Sequence, residues 1–247
     1  MADRGDQPSD RNTLAVPPFG RQYRGIVRAR SGGEQTPRGL GISVSAVVSA
    51  LRRLLDELSW EGNARKYRDG GLGLENVLTT EVFQGLDFLP RQAFLGRVLA
   101  TTSGARPDAA VHEVEEAAVD VLPGDLTHPL VGIRAQPDVR IDSPGAFVFV
   151  EAKRPRSPTF GSDQLAKELI LTVEHARGRR PTLLLVLGTP PPVRVRGHGL
   201  FSIEDAVQLG QESLAMKRQR PVDVPDPTEI VAWTTWADIA AHVDAAL

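Results

Sequence analysis

Two apolar runs, AFVFV at 146–150 and LLLVL at 183–187, constrain this chain more than any other feature. The second, short and continuous, is typical of a fully buried central strand, and such strands lie inside sheets with helices packed above and below. Between the runs, about Asp163 to Arg177 has helical periodicity, with Ser162 or Asp163 as its N-cap. Strand, helix and strand in that order predict a βαβ crossover, the connection that parallel neighbours require. The expected fold is therefore a single α/β domain, with a mixed central sheet flanked by helices. The crossover helix should bury Leu165, Leu169, Thr172 and Val173, with Gln164, Glu168 and His175 on an adjoining face.

The remaining elements fall around this unit. Val44, Val47, Val48, Leu51, Leu54, Leu55 and Leu58 form a helical stripe. The glycine cluster at 69–73 lacks the Lys-Ser/Thr of a phosphate-binding loop and reads as a hinge or turn. A second helix runs from Leu74 to Phe88, and a third starts at Pro90, a favoured first helical position. The valines of Val111 to Val121 predict a first, longer strand, with His112, Glu113 and Glu115 facing solvent instead of acting as ligands. Downstream come loop and edge strand at Val193 to His198, a helix from Ser202 to Arg220, a strand over Glu229 to Trp233, and a closing helix from Trp236 to Leu247. Residues 1–38 hold seven arginines against four acids and little apolar periodicity, which predicts a disordered basic arm ahead of a domain at 39–247.

Chemistry concentrates in Gln136 to Arg154, QPDVRIDSPGAFVFVEAKR. Two extended runs, Pro137 to Asp142 and Ala146 to Lys153, are joined by the turn signal Ser143-Pro144-Gly145. Paired as a hairpin, they set Asp138 opposite the end of the second run. Strand alternation puts Glu151 and Lys153 on one face and Ala152 on the other. Two carboxylates and an ammonium at one sheet edge suit a hard divalent cation and an activated water. Mg²⁺ takes oxygen ligands and one or two protein carboxylates, and a neighbouring lysine can orient water or neutralise phosphate charge. The competing reading is a solvated hairpin end with an incidental ion pair.

Pro-Asp, twelve intervening residues and Glu-X-Lys resemble the motif of the PD-(D/E)XK nuclease superfamily, and the resemblance covers roughly residues 74–190. It implies a restriction-endonuclease-like core. It also implies Mg²⁺, with Mn²⁺ able to substitute, held by Asp138, Glu151 and the Ala152 carbonyl, with Lys153 acting on the water or the transition state. Such nucleases commonly add a third carboxylate from a helix ahead of the sheet. Glu75 and Glu81 are the candidates; helical geometry sets them about 240° apart, so only one faces the site. The Leu-Glu-Asn-Val-Leu-Thr spelling favours Glu75. Gln164 matches the polar residue that the superfamily often places on the helix after the catalytic strand. The Tyr that some branches add is absent, with Lys167 and Glu168 nearby instead, a departure from the exonuclease-like branch. The implied activity is metal-dependent endonucleolytic hydrolysis of double-stranded DNA, in restriction, repair or antiviral defence, with a homo-oligomer or a partner protein of a defence system as companions. Two other readings stand beside it: a non-catalytic nucleic-acid-binding or assembly module on the same fold, and an enzyme acting on RNA or a small phosphodiester.

Composition narrows the chemistry further. With no cysteine, disulfides, thiolate zinc sites and cysteine nucleophiles are excluded. No signal peptide is visible and no apolar run reaches membrane-spanning length, so a cytoplasmic location without a membrane partner is the expectation. Net charge is −2, but unevenly placed: residues 151–180 hold seven Lys/Arg against four acids, whereas 101–130 hold six acids and only Arg106. A basic surface beside a carboxylate site suits a phosphate backbone, although scattered solvated charge gives the same counts.

Overall fold

The computed structural model describes residues 72–155, 159–219 and 221–246, with side chains from Asn76 onward. The arm at 1–38, the helical stripe from Val44 to Leu58 and the glycine-rich loop through residue 71 lie outside the described residues. In chain order the structure has α1 (Leu72–Phe88), α2 (Leu95–Ala100), β1 (Ser103–Gly104), α3 (Asp108–His112), β2 (Ala118–Val121), β3 (Leu126–Thr127), β4 (Arg134–Ala135), β5 (Val139–Asp142) and β6 (Ala146–Ala152). It continues with α4 (Gln164–Ala176), β7 (Arg180–Leu187), β8 (Val193–Val195), β9 (Gly199–Phe201), α5 (Ile203–Arg218), β10 (Val231–Thr235) and α6 (Trp236–Ala246).

The two apolar runs become the middle of a six-stranded mixed sheet ordered β1-β10-β7-β6-β5-β2. β6 and β7 are parallel, Val150 opposite Leu184, and α4 makes the crossover between them. β10 extends the parallel part beside β7, while β5 pairs antiparallel with β6 and places Val139 opposite Val150. All seven residues of β6 are buried, as a strand covered on both faces requires.

Alternation along β6 divides the core. Val148, Val150 and Ala152 join Phe83 of α1, Leu95 and Leu99 of α2, Ala110 of α3 and Ile239 of α6 in one layer. Phe147 and Phe149 join Leu165 and Leu169 of α4 and Ala206 and Val207 of α5 in the other. Glu151 and Lys153 follow Phe149 in the same alternation, so they emerge into the α4 layer. The sequence-predicted α/β class, with helices on both faces of a mixed sheet, is the observed architecture.

Several local expectations are corrected. Val111 to Val121 is not one strand: it divides into α3, a turn over 113–116 and the four-residue β2. Ala110, Val114 and Ala117 are buried at helix-like spacing, so packing overrides the strand propensity of the valines. Glu113 is not simply solvent-facing. Its carboxylate accepts from the Gly145 N–H at 2.7 Å, and hydrogen bonds from Ser143 and Gly145 hold its pKa below the ordinary value. It thereby fastens the turn between β5 and β6. Pro90 opens a turn, accepting from Ala93 and Phe94, and the helix proper waits until Leu95. α1 reaches back to Leu72, taking in Gly73. Val173 is 37% exposed, and Ile170 and Leu171 are buried in addition to the expected face.

A close approach behind β6 carries a prediction. An added Cβ at Gly188, just past β7, would collide with the Pro155 carbonyl oxygen, a backbone atom in the loop that follows Lys153. Gly188→Ala must therefore push two backbone segments apart. It should cost about 1–3 kcal/mol, the usual range for overpacking, read as a lowered denaturation midpoint. An unchanged midpoint would show that the loop yields freely.

Candidate active site

The β5–β6 hairpin assembles the site because its turn is short and its register fixed. The Asp138 N–H donates to the Val150 carbonyl at 3.0 Å, the first rung before β5 begins. That rung brings the Asp138 carboxylate alongside the end of β6, where Oδ2 accepts from the Ala152 N–H at 2.7 Å. Glu151 and Lys153 flank that amide. The two side chains form a hydrogen-bonded ion pair, Lys153 Nζ donating to Glu151 Oε1. Lys153 also lies over the Phe160 ring, 5.0 Å from its centre.

Backbone bonds pin this strand end. The Lys153 N–H donates to Val186 of β7 at 2.7 Å, and the Lys153 carbonyl accepts from the Trp236 indole at 2.6 Å. The position of Lys153 is thus set by a parallel neighbour and by the start of α6.

The second layer of the site comes from α4. Its N-cap residue, Asp163, makes no side-chain capping bond. Burial works against the Asp163 charge, but Lys217 at 2.8 Å and Lys167 at 3.3 Å hold its pKa below the ordinary value. Gln164, the first residue of the helix, donates from Nε2 to Glu151 Oε1 at 2.6 Å and to Glu168 Oε1 at 2.8 Å. Its own carbonyl oxygen accepts from the Gly161 N–H at 3.0 Å. The amide is therefore oriented, with its NH₂ toward the carboxylates.

Glu168, one turn further along α4, is 2% exposed. Among the described residues its Oε2 has no hydrogen-bond partner. Burial raises its pKa well above the ordinary value; the Glu151 charge adds to the rise, and Lys153 and Gln164 oppose it only in part. A carboxyl in that position is harder to ionise than an ordinary glutamate.

The structure therefore brings together Asp138, Glu151, Lys153 and Gln164, and it adds Glu168 to them. Glu75 lies on α1, its side chain outside the described residues; Glu81 is exposed on the same helix. His112 and Glu115 are exposed, and His175 is satisfied locally, against the Phe147 ring and the Thr127 carbonyl. The competing reading of a solvated hairpin end does not hold: Glu151 and Lys153 are 5% and 8% exposed, so the pair is buried. Sequence reasoning missed the depth of Glu168 and the roles of Phe160 and Trp236. The i, i+4 spacing from Gln164 was the available signal for Glu168; the other two contacts are long-range and leave none.

Among the described residues no three His, Cys, Asp or Glu side chains stand close enough to hold a metal ion by themselves. A Mg²⁺ site does not need three protein carboxylates, since the ion keeps several waters. Asp138 and Glu151 at adjacent strand ends, with the Ala152 carbonyl between Glu151 and Lys153, supply donors of the right hardness. The donor set fits that ion in kind. The chain matches no family model, no curated protein and no solved structure. Among the described residues no helix is long and apolar enough to cross a membrane.

Proposed function

We propose that this protein is a divalent-metal-dependent endonuclease of restriction-endonuclease-like fold that hydrolyses DNA phosphodiester bonds. One observation carries the reading: Asp138 accepts from the Ala152 amide, which lies between Glu151 and Lys153, and those two pair with each other at the end of the adjacent strand. Mg²⁺, or Mn²⁺ in its place, would be held by Asp138, Glu151 and the Ala152 carbonyl, and supplies Lewis-acid polarisation of the phosphate and a more acidic water. Lys153 brings a positive charge to the reacting phosphate and a nitrogen within reach of the attacking water. Gln164 holds Glu151 in place through one hydrogen bond, fixing which carboxylate oxygen stays available. Ala152 links the parts, because its amide orients Asp138 while its neighbours carry the other two groups.

A buried ion pair is a weak device for stability, since its desolvation cost rivals its attraction. Here it is retained with Gln164 and a second buried carboxyl beside it. That concentration of ionisable groups marks a functional site more than a structural one. The biological setting that suits such an enzyme is restriction, repair or antiviral defence, in the cytoplasm. A binding module that keeps the fold is the other reading, favoured by the ion pair that Lys153 already makes with Glu151.

Plasmid nicking in Mg²⁺, Mn²⁺ or EDTA decides between them, with an RNA of matching sequence as a second substrate. Metal-dependent cutting of DNA is expected; equal cutting in EDTA, or none with either metal, removes the proposal. The same assay tests the third carboxylate. Glu75→Gln should reduce cleavage by about 100-fold or more, whereas Glu81→Gln, on an exposed position, should leave it within about twofold. Equal losses would overturn the choice of Glu75.

A further inference from the structure

Between Glu174 and Glu204 the chain has no acidic residue, yet it carries Arg177, Arg179, Arg180, Arg194 and Arg196. The last two lie on the β8–β9 hairpin, a two-stranded sheet separate from the central one. Val193 and Val195 are buried, so alternation leaves Arg194 exposed on the outer face of β8; Arg196, in the turn that follows, is exposed as well. Arg194 stands opposite Leu200, itself 58% exposed, and His198 is exposed at the turn. Among the described residues neither arginine has an ion-pair partner.

This hairpin is fixed to the catalytic edge. The Phe160 N–H donates to the Arg194 carbonyl and the Arg196 N–H donates to the Phe160 carbonyl, both at 2.9 Å. Phe160 is the residue whose ring carries Lys153. A cavity of about 260 Å³ lies here, its walls including Pro155, Phe160, Leu187, Thr189, Arg194 and Leu200. Pro155 is two residues past Lys153, so one wall of the cavity is the loop that leaves the site.

We infer that the β8–β9 hairpin is a clamp for the DNA backbone. Arg194 and Arg196 take phosphates of a strand laid across Lys153, and the cavity rim at Pro155 and Leu200 receives the apolar face of a sugar. The inference takes its occupant from the nuclease reading and deepens it by naming what positions the substrate. Arg194 on β8 and Arg196, at the first position of the turn after it, are two residues apart, at most roughly 6.6 Å along an extended chain, so each can meet a different phosphate. Arginine suits the task because its planar fork bonds phosphate oxygens in pairs.

The test is fluorescence anisotropy of a labelled DNA duplex, and of one of its strands alone, in EDTA over a series of salt concentrations. Wild type is compared with R194A/R196A and with R97A/R106A, which removes two exposed arginines elsewhere. Each lost phosphate contact lowers the slope of log affinity against log salt by roughly 0.9 for duplex DNA. Wild type should therefore lose roughly twelvefold more affinity than R194A/R196A between about 0.05 and 0.2 M salt. The control pair should keep the wild-type slope, and all three proteins should share one thermal midpoint. Dependence on the hairpin with either DNA supports the clamp, and the form that shows it names the strandedness of the substrate. An unchanged slope in R194A/R196A, an equal change in the control, or no DNA binding by wild type overturns it. Hairpin-dependent binding by a wild type that never cuts DNA in Mg²⁺ would sink the nuclease reading and leave the clamp standing.

Discussion

Asp138→Asn should abolish metal-dependent cleavage while leaving the fold intact, and Lys153→Ala should abolish cleavage at a measurable cost in stability. The difference follows from burial. Asp138 is half-buried and its Oδ2 accepts one backbone bond from Ala152, which the carbonyl oxygen of an asparagine can also accept. The substitution removes a charge that a cation needs, so calorimetric Mg²⁺ binding should weaken. It also removes a repulsion with the DNA backbone, so DNA affinity measured in EDTA should hold or rise. Lys153 differs because its ammonium is the ion-pair partner of a buried glutamate. Removing one member of such a pair leaves an uncompensated charge and costs about 3–5 kcal/mol. Lys153→Ala is therefore assayed well below its own lowered midpoint. There it should lose at least about 100-fold in cleavage, the low end of what a positioned proton-transfer group contributes, while still taking up Mg²⁺. Full activity in Lys153→Ala, or unchanged Mg²⁺ affinity in Asp138→Asn, would dismantle the proposed site.

Why some of this was legible in the chain and some was not comes down to distance along it. Asp138, Glu151 and Lys153 lie within one hairpin, whose register is fixed by a short turn and by the alternation of Val148, Val150 and Ala152 against Phe147 and Phe149. Local periodicity suffices for that, and the crossover through α4 was equally readable. Burial of the site was not, because it depends on what covers the strand end. Trp236, 83 residues from Lys153, bonds its carbonyl, and Phe160 sits under its ammonium only because β8 pairs with the Phe160 backbone. The segment from Val111 to Val121 failed for the opposite reason. Its valines carry a strand preference worth little against the packing of Ala110, Val114 and Ala117, and Glu113 turns inward to bind Gly145. Val173 was expected inside on helical spacing alone, yet it faces solvent while the site carboxyl Glu168 is buried. Polar burial on α4 is decided by partners on β6, which its own periodicity does not contain.

Glu168→Gln should make the protein more stable as pH rises, and this is the second large effect expected. The folded chain holds Glu168 with its pKa raised by burial, and further by the Glu151 charge, against an ordinary value of 4.5. The unfolded chain releases that proton near the ordinary value, so above it the native state binds more protons than the unfolded one. Stability then falls with increasing pH until the folded group also ionises. This contribution is fully present below about pH 4.5 and is lost as pH climbs through the raised pKa. Glutamine has the same shape, cannot ionise, and its carbonyl oxygen can accept the Gln164 bond that Glu168 Oε1 accepts now. Wild type and variant should therefore melt together near pH 4.5, and the variant should melt higher by pH 8. Each kcal/mol of that gap reads as roughly 2–4 °C in a chain of this size. Cleavage gives an independent check. If Glu168 serves only as a neutral group, Glu168→Gln should retain activity and lose whatever decline in rate the ionising glutamate imposes as pH rises. A variant that is less stable than wild type at pH 8 would show that Glu168 is charged in the folded protein and balanced by a cation at its unpartnered oxygen.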